Sequence, residues 1–114
     1  YPGRLPRAGD RLSLEQVGAL HFMPPDTQRF PCLKLARDAG EAGSTYPTVL
    51  SAADDIAVAE FLDGRISFPE IPSIIAQVLE AHDPARCVTV ENILAADAWA
   101  RATAATLVRQ RSQR

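Results

Sequence analysis

Apolar residues along the chain recur at spacings of three and four rather than in alternation, a pattern that predicts helices and no strand-rich sheet. Four segments carry it. Over 30–42, Leu33, Ala36 and Ala39 form a weak stripe, with Asp26 and Thr27 as cap-type residues ahead of it, Pro31 in its first turn, and Gly40 and Gly43 loosening its end. The next segment sets Val49, Leu50, Ala53, Ile56, Ala57 and Phe61 on one face; Ser44 and Thr45 read as its caps, Pro47 falls early and Gly64 supplies a left-handed stop. The third has the cleanest amphipathic face, Ile71, Ile74, Ile75, Val78 and Leu79, opened by a Ser67/Glu70 capping box and ended by Asp83-Pro84. The last starts at Thr89, an N-cap, with Glu91 at the positive end of the helix dipole, and groups Val90, Ile93, Leu94, Ala100, Ala104, Leu107 and Val108 on one face.

The flanks read differently. Residues 1–12 are punctuated by Pro2, Gly3, Pro6 and Gly9 and carry Arg4, Arg7 and Arg11, which is the composition of an extended linker. Ser13 looks like an N-cap for at most two helical turns before Gly18, the extended Leu20–Met23 and the stop at Pro24-Pro25. After Val108 the polar RQRSQR is expected to fray. Short connections between four helices suit an all-α, small antiparallel four-helix bundle preceded by an extended linker arm. The expected division is an arm over 1–28, a helical domain over 29–110 and a frayed tail over 111–114. Because the chain opens on Tyr1 in linker composition, it is expected to be a piece of something longer.

Composition narrows the function. At 114 residues, 46% hydrophobic and 23% charged, the chain has the make-up of one globular domain. Its apolar runs fall far short of the roughly 20 residues that span a bilayer, so no membrane is expected. A net charge of -2 argues against a nucleic-acid partner, and the basic C-terminal end with Arg101, Arg109, Arg111 and Arg114 is accounted for by cations at a helix C-terminus. Cys32 and Cys87 have no ligand-spaced neighbours and read as two buried thiols in a reducing compartment. With no secretory segment, the cytoplasm of a bacterium is the expected setting, a plastid the alternative.

Candidate chemistry is thin. The six glycines never form a phosphate-binding turn. His21 lies in an extended segment, and His82 falls at a helix C-terminus where its charged form would suit the dipole. Asp54 and Asp55 are adjacent on a helix and point about 100° apart, so they cannot converge on one metal; one reads as a solvated face residue, the other as a partner within the bundle near Ser51. Trp99 reads as a packing residue. From the residues alone, no catalytic, cofactor-binding or metal-binding residue is expected.

Two stretches carry a resemblance. Leu20-His21-Phe22, Pro25-Asp26 and Arg29-Phe30-Pro31-Cys32-Leu33-Lys34-Leu35-Ala36 are similar to the L-T-F-x-x-P-D-x-x-R-F-P-C-L-x-L-A segment of the 1-deoxy-D-xylulose 5-phosphate reductoisomerase family, with His21 where threonine is usual. Leu50-Ser51-Ala52-Ala53-Asp54-Asp55-Ile56-Ala57-Val58, Phe61-Leu62, Gly64, Ile66, Phe68 and Ile71 resemble its L-N-A-A-N-E-I-A-V-x-x-F-L-x-G-x-I-x-F-x-x-I segment. Asp97-Ala98-Trp99-Ala100 is similar too. Ser51 and Asp54 replace usual asparagines, and Asp55 a usual glutamate. The resemblance implies the C-terminal helical domain of an oxidoreductase of non-mevalonate isoprenoid biosynthesis. Its homodimeric parent uses NADPH and a divalent metal, Mg or Mn, to rearrange and reduce 1-deoxy-D-xylulose 5-phosphate to 2-C-methyl-D-erythritol 4-phosphate. The family's cofactor and metal residues lie upstream of the matched segment, so the implied partners here are the parent's catalytic and NADPH-binding domains. The rival expectation is a free-standing helical protein-interaction module.

Overall fold

A computed structural model describes residues 11–111 together with Gly3 and Gly9. The expectations for the other residues of the arm's opening and for 112–114 of the tail lie outside the described residues. The elements are α1 (Leu14–Val17), α2 (Pro31–Ala42), α3 (Tyr46–Leu62), α4 (Glu70–Glu80) and α5 (Val90–Arg111), and no strand occurs among the described residues. α1 is a single turn; α2 to α5 form the expected bundle. Consecutive helices run antiparallel: Thr45 at the start of α3 bonds His82 beyond the end of α4, and Arg111 at the end of α5 bonds Ser73 in the first turns of α4. α3 and α4 are the central pair. Each packs on both α2 and α5, which lie on opposite edges without touching one another.

The helix ends follow local chemistry in three places. At the end of α3, Gly64 has φ 73°, its N–H donates to the Phe61 carbonyl, and the Arg65 N–H donates to that of Glu60, the paired bonds of a glycine-terminated helix. Before α4, Glu70 accepts from both the backbone N–H and the hydroxyl of Ser67, at 2.7 and 2.8 Å, which holds its carboxyl below the usual range. Thr89 caps α5 by accepting the Asn92 N–H. Other expected caps, Ser13, Asp26 and Thr45 among them, do not form. The Ser13 hydroxyl donates to Glu15, and Asp26 caps the turn at 27–29 by accepting from the N–H groups of Gln28 and Arg29 rather than starting α2. Thr45 uses its hydroxyl inside the fold.

The core joins Val49, Ala52, Ala53 and Ala57 of α3, Ile71, Ile74, Ile75 and Val78 of α4, and Ala96, Ala100, Ala104 and Val108 of α5, with Ile66 of the α3–α4 connection beneath. The face expected for α4 is therefore the buried one, and that of α3 is buried at Val49, Ala53 and Ala57, with Leu50, Ile56 and Phe61 half-buried against the core and Ala52 added to it. Those expected for α2 and α5 are corrected in part: Ala39, Ala100, Ala104 and Val108 are buried as expected, and Ala96 joins them. α2 turns Leu35 and Ala39 inward and leaves Leu33 and Ala36 outside; α5 leaves Val90 and Leu94 68% and 64% exposed. The reason is steric: the buried row Ala96, Ala100, Ala104 lets the α5 backbone approach α3, whose own core residues are mostly alanine, and larger side chains would hold the helices apart. α5 also continues through Arg111, where the guanidinium donates to Ser73 and lies 3.8 Å from Glu70.

Candidate functional site

The most extensive unpacked feature is the arm. Between residues 11 and 30 no side chain is buried, and Leu12, Leu14, Leu20, Phe22, Met23 and Phe30 stand exposed, Phe22 and Met23 at 88% and 87%. Single exposed apolar residues are ordinary on a protein surface, but a run of this size along one extended segment marks a contact surface. The local sequence explains why the arm cannot bury itself: Gly18 at φ 71° ends α1 after one turn, and Pro24-Pro25 bars a helix, so nothing folds these side chains back. His21 lies in this exposed stretch, apart from every other candidate residue.

The second feature is a cleft of about 340 Å³ at the end of the bundle where α3 starts and α4 gives way to α5. Thr45, His82, Asp83, Asn92 and Trp99 are among its walls. Thr45 is wholly buried; its Oγ1 lies 2.8 Å from His82 Nε2 and 3.4 Å from the Ala85 nitrogen, whose N–H it accepts. The His82 ring meets that of Tyr46 edge-on at 5.1 Å and lies 5.3 Å from Trp99. Burial pushes His82 below the usual histidine range, against the opposing pull of the Asp83 carboxylate. That corrects the expectation of a charged histidine on the helix dipole. Trp99, expected as a packing residue, packs with one side on His82 and keeps 37% of its surface exposed.

The acidic pair separates as its helical geometry requires. Asp55 accepts a hydrogen bond from Arg101 of α5 at 2.8 Å, and Arg101 also donates to Asp97, so one guanidinium ties α3 to α5. Ser51 is exposed. Asp54 is half-buried on the neighbouring face, where desolvation and then the Asp55 charge raise its carboxyl above the usual range. Both cysteines are exposed rather than buried: Cys32 lies in the first turn of α2 and Cys87 in the α4–α5 connection. Partial burial, followed by the Asp54 charge, raises the Cys32 thiol and leaves it less reactive. Arg109 donates to Thr106, one turn back on its own helix. Among the described residues no three His, Cys, Asp or Glu side chains gather as a metal site. In the sequence Thr45 looks, beside Ser44, like an ordinary helix cap, and its role in the cleft does not show. The signal was Gly43, which at φ 67° turns the chain so that the next two hydroxyls face another loop.

Comparison with known proteins gives one answer. Residues 1–103 match the family model described as DXP reductoisomerase C-terminal domain. The 1-deoxy-D-xylulose 5-phosphate reductoisomerase of Thermomicrobium roseum is 56% identical over 109 residues, covering 95% of this chain and 28% of that protein. That of Chlorobium phaeobacteroides strain BS1 is 49% identical over 107 residues, covering 94% and 28%. Among solved structures, the enzyme from Zymomonas mobilis in complex with NADPH superposes with a TM-score of 0.78 at 36% identity, over 95% of this chain and 29% of the other. A second, in complex with NADPH, fosmidomycin and magnesium, gives 0.80 at 32% identity, over 99% and 30%. The chain thus spans less than a third of the relatives it matches.

Proposed function

The chain belongs to the DXP reductoisomerase C-terminal domain family, and from that premise we propose that it is the C-terminal bundle, with the arm leading into it, of a 1-deoxy-D-xylulose 5-phosphate reductoisomerase. The parent would convert 1-deoxy-D-xylulose 5-phosphate to 2-C-methyl-D-erythritol 4-phosphate with NADPH and a divalent cation, Mg or Mn. The observation that carries the role of this part is the arm. Its apolar side chains are exposed to solvent, Phe30 covered only by Arg29, and the segment of densest family resemblance, 20–36, begins inside it. Side chains bare in this chain and set in a family-typical segment are accounted for if the parent's catalytic domain covers them. Burying one Leu or Phe contributes about 1.5–3 kcal/mol, so a handful suffices to fix the bundle against that domain.

In this reading the chain contributes no reacting group. NADPH and the metal ion supply the hydride and the Lewis acid in the parent, and the residues of this chain supply position. The arm seats on the catalytic domain, and the bundle keeps the arm's end fixed through the packing of α2 on α3 and α4. Catalytic groups must be held to within about half an ångström, so a loose support costs activity without touching the reacting atoms. The parent would act as a homodimer in the bacterial cytoplasm. The relatives from Thermomicrobium roseum and Chlorobium phaeobacteroides are bacterial, and no helix among the described residues is long and apolar enough to cross a membrane.

Two measurements test this. Calorimetric titration of the 114-residue chain with NADPH, with and without Mg, should give no binding heat; micromolar binding would place a cofactor site in the bundle and overturn the supporting role. Expression from the complete reading frame should give NADPH oxidation dependent on 1-deoxy-D-xylulose 5-phosphate. A folded full-length product without that activity would favour an interaction module instead.

A further inference from the structure

The α4–α5 connection is bound to the α2–α3 corner by three hydrogen bonds that join residues 37 to 41 apart in sequence. Ser44 Oγ donates to the Ala85 carbonyl at 2.8 Å, the Ala85 N–H donates to Thr45 Oγ1, and Thr45 Oγ1 lies 2.8 Å from His82 Nε2. Ser44 is held at φ 49°, the left-handed region that non-glycine residues rarely occupy. This cluster lies outside the arm and serves no step of the proposed reaction.

The direction of the Thr45–His82 bond follows from donor and acceptor accounting. Thr45 Oγ1 already accepts the Ala85 N–H, and its own hydrogen has one acceptor within reach among the described residues, His82 Nε2. Thr45 Oγ1 and His82 Nε2 are therefore both satisfied when the hydroxyl donates to an unprotonated Nε2, with the imidazole hydrogen on Nδ1. A protonated imidazole bears hydrogen on both nitrogens. It turns Nε2 from acceptor into donor and strands the hydroxyl hydrogen of a residue that is wholly buried. The ionisable groups around the ring are Asp83 next to it in the connection and the phenol of Tyr46 from α3. α5 presents Trp99 and Asn92, neither of them ionisable.

We propose that Ser44, Thr45 and His82 form a proton-operated latch. With His82 neutral, the Thr45 hydroxyl donates to Nε2 and holds residues 81–89 over the start of α3; protonation of His82 removes that acceptor, leaves the buried hydroxyl hydrogen unpaired, and so loosens the connection and opens the cleft beside Trp99. Burial already holds His82 below its ordinary value of about 6.5. Between the folded value and 6.5 the unfolded chain binds more protons, so stability rises with pH there. The contribution of the latch is complete above about pH 6.5 and is lost as pH falls through the folded His82 value.

The chain has two histidines and one tryptophan, so His21→Gln leaves a single imidazole and Trp99 as the local reporter. In that background, NMR titration of His82 should give a midpoint below 6.5, and Trp99 fluorescence should change with the same midpoint because the imidazole lies against the indole. Amide exchange of 81–89, corrected for its intrinsic pH dependence, should accelerate several-fold as His82 protonates. Thr45→Val, which keeps the shape and removes the hydroxyl, should raise the His82 midpoint toward 6.5 and give fast exchange of 81–89 at both pH values. His82→Gln should abolish the fluorescence titration. A His82 midpoint of 6.5 or above, an unchanged midpoint in Thr45→Val, or protection of 81–89 that ignores His82 protonation would each overturn the latch.

Discussion

The arm and the bundle are both rich in apolar residues, yet they dispose of them in opposite ways. In the arm the large side chains, Leu14, Leu20, Phe22 and Met23, face outward, and in the bundle the fully buried positions of α3 and α5 are mostly alanine. Side-chain size is thus a poor guide to burial in this chain. The bundle is held by close backbone approach along α3 and α5 and by the isoleucines of α4, whereas the arm keeps its bulk for a surface outside the described residues. Stability of the chain and assembly of the proposed parent are accordingly encoded in different segments and can be broken separately.

The sharpest break is in α4. Ile75 is 2% exposed within the core, and Ile75→Ala should destabilise the chain by about 2–5 kcal/mol through lost burial and a residual cavity. A urea titration reads this as a lower midpoint at an unchanged slope. The complementary break is to overfill the alanine row. Ala100 is fully buried where α5 meets α3, and Ala100→Leu should cost about 1–3 kcal/mol by forcing the helices apart. If Ala100→Leu were neutral, α3 and α5 would not be in close approach, and the contrast with the arm would lose its physical basis.

The number of helices, their order and most of their ends were legible because each rests on local signals: Pro31 opening α2, Gly64 closing α3, the Ser67/Glu70 pair before α4, and Thr89 before α5. The isoleucine face of α4 was legible because those residues are both large and buried. Periodicity placed Ala39, Ala100, Ala104 and Val108 correctly but misassigned the rest of the α2 and α5 faces, where Leu33, Val90 and Leu94 look like core by type and Ala96, with a single methyl, attracts no notice. Which stripe is buried there depends on how closely two helices approach, which no single helix encodes. The cleft was illegible for a similar reason. Thr45 and His82 each satisfy a plausible local rule, as cap and as dipole partner, and only packing brings them together across 37 residues.

The arm should behave in the reverse manner to the core. Phe22→Ala removes the most exposed of the large apolar side chains and should change the chain's own stability by less than about 0.5 kcal/mol. In the full-length parent the same substitution should lower thermal stability and activity. A scanning-calorimetry comparison of the isolated chain and the full-length protein checks both halves. An equal effect in the two would mean that Phe22 packs within this chain, and the arm would cease to be a separate contact surface.

The smallest effect tests electrostatics inside the bundle. Asp54 is the half-buried member of its pair, and desolvation with the adjacent Asp55 raises its carboxyl above the usual range. A raised carboxyl binds protons more readily in the folded chain than in the unfolded one, so between the ordinary value and the folded value stability increases as pH falls. At neutral pH the charged form is a net cost. Asp54→Asn, which installs the asparagine usual in the resembling family segment, should therefore stabilise the chain at pH 7 by up to about 0.5 kcal/mol, the scale of a partly exposed site. The advantage should shrink through the acid range and vanish once the wild-type carboxyl is protonated in both folded and unfolded chains. A thermal-unfolding series from pH 7 to pH 3 reads the two curves converging. If Asp54→Asn instead destabilised the chain at pH 7, the carboxylate would be supplying a bond that an amide cannot replace. Asp54 would then join Asp55 among the side chains that tie α3 to its neighbouring helices.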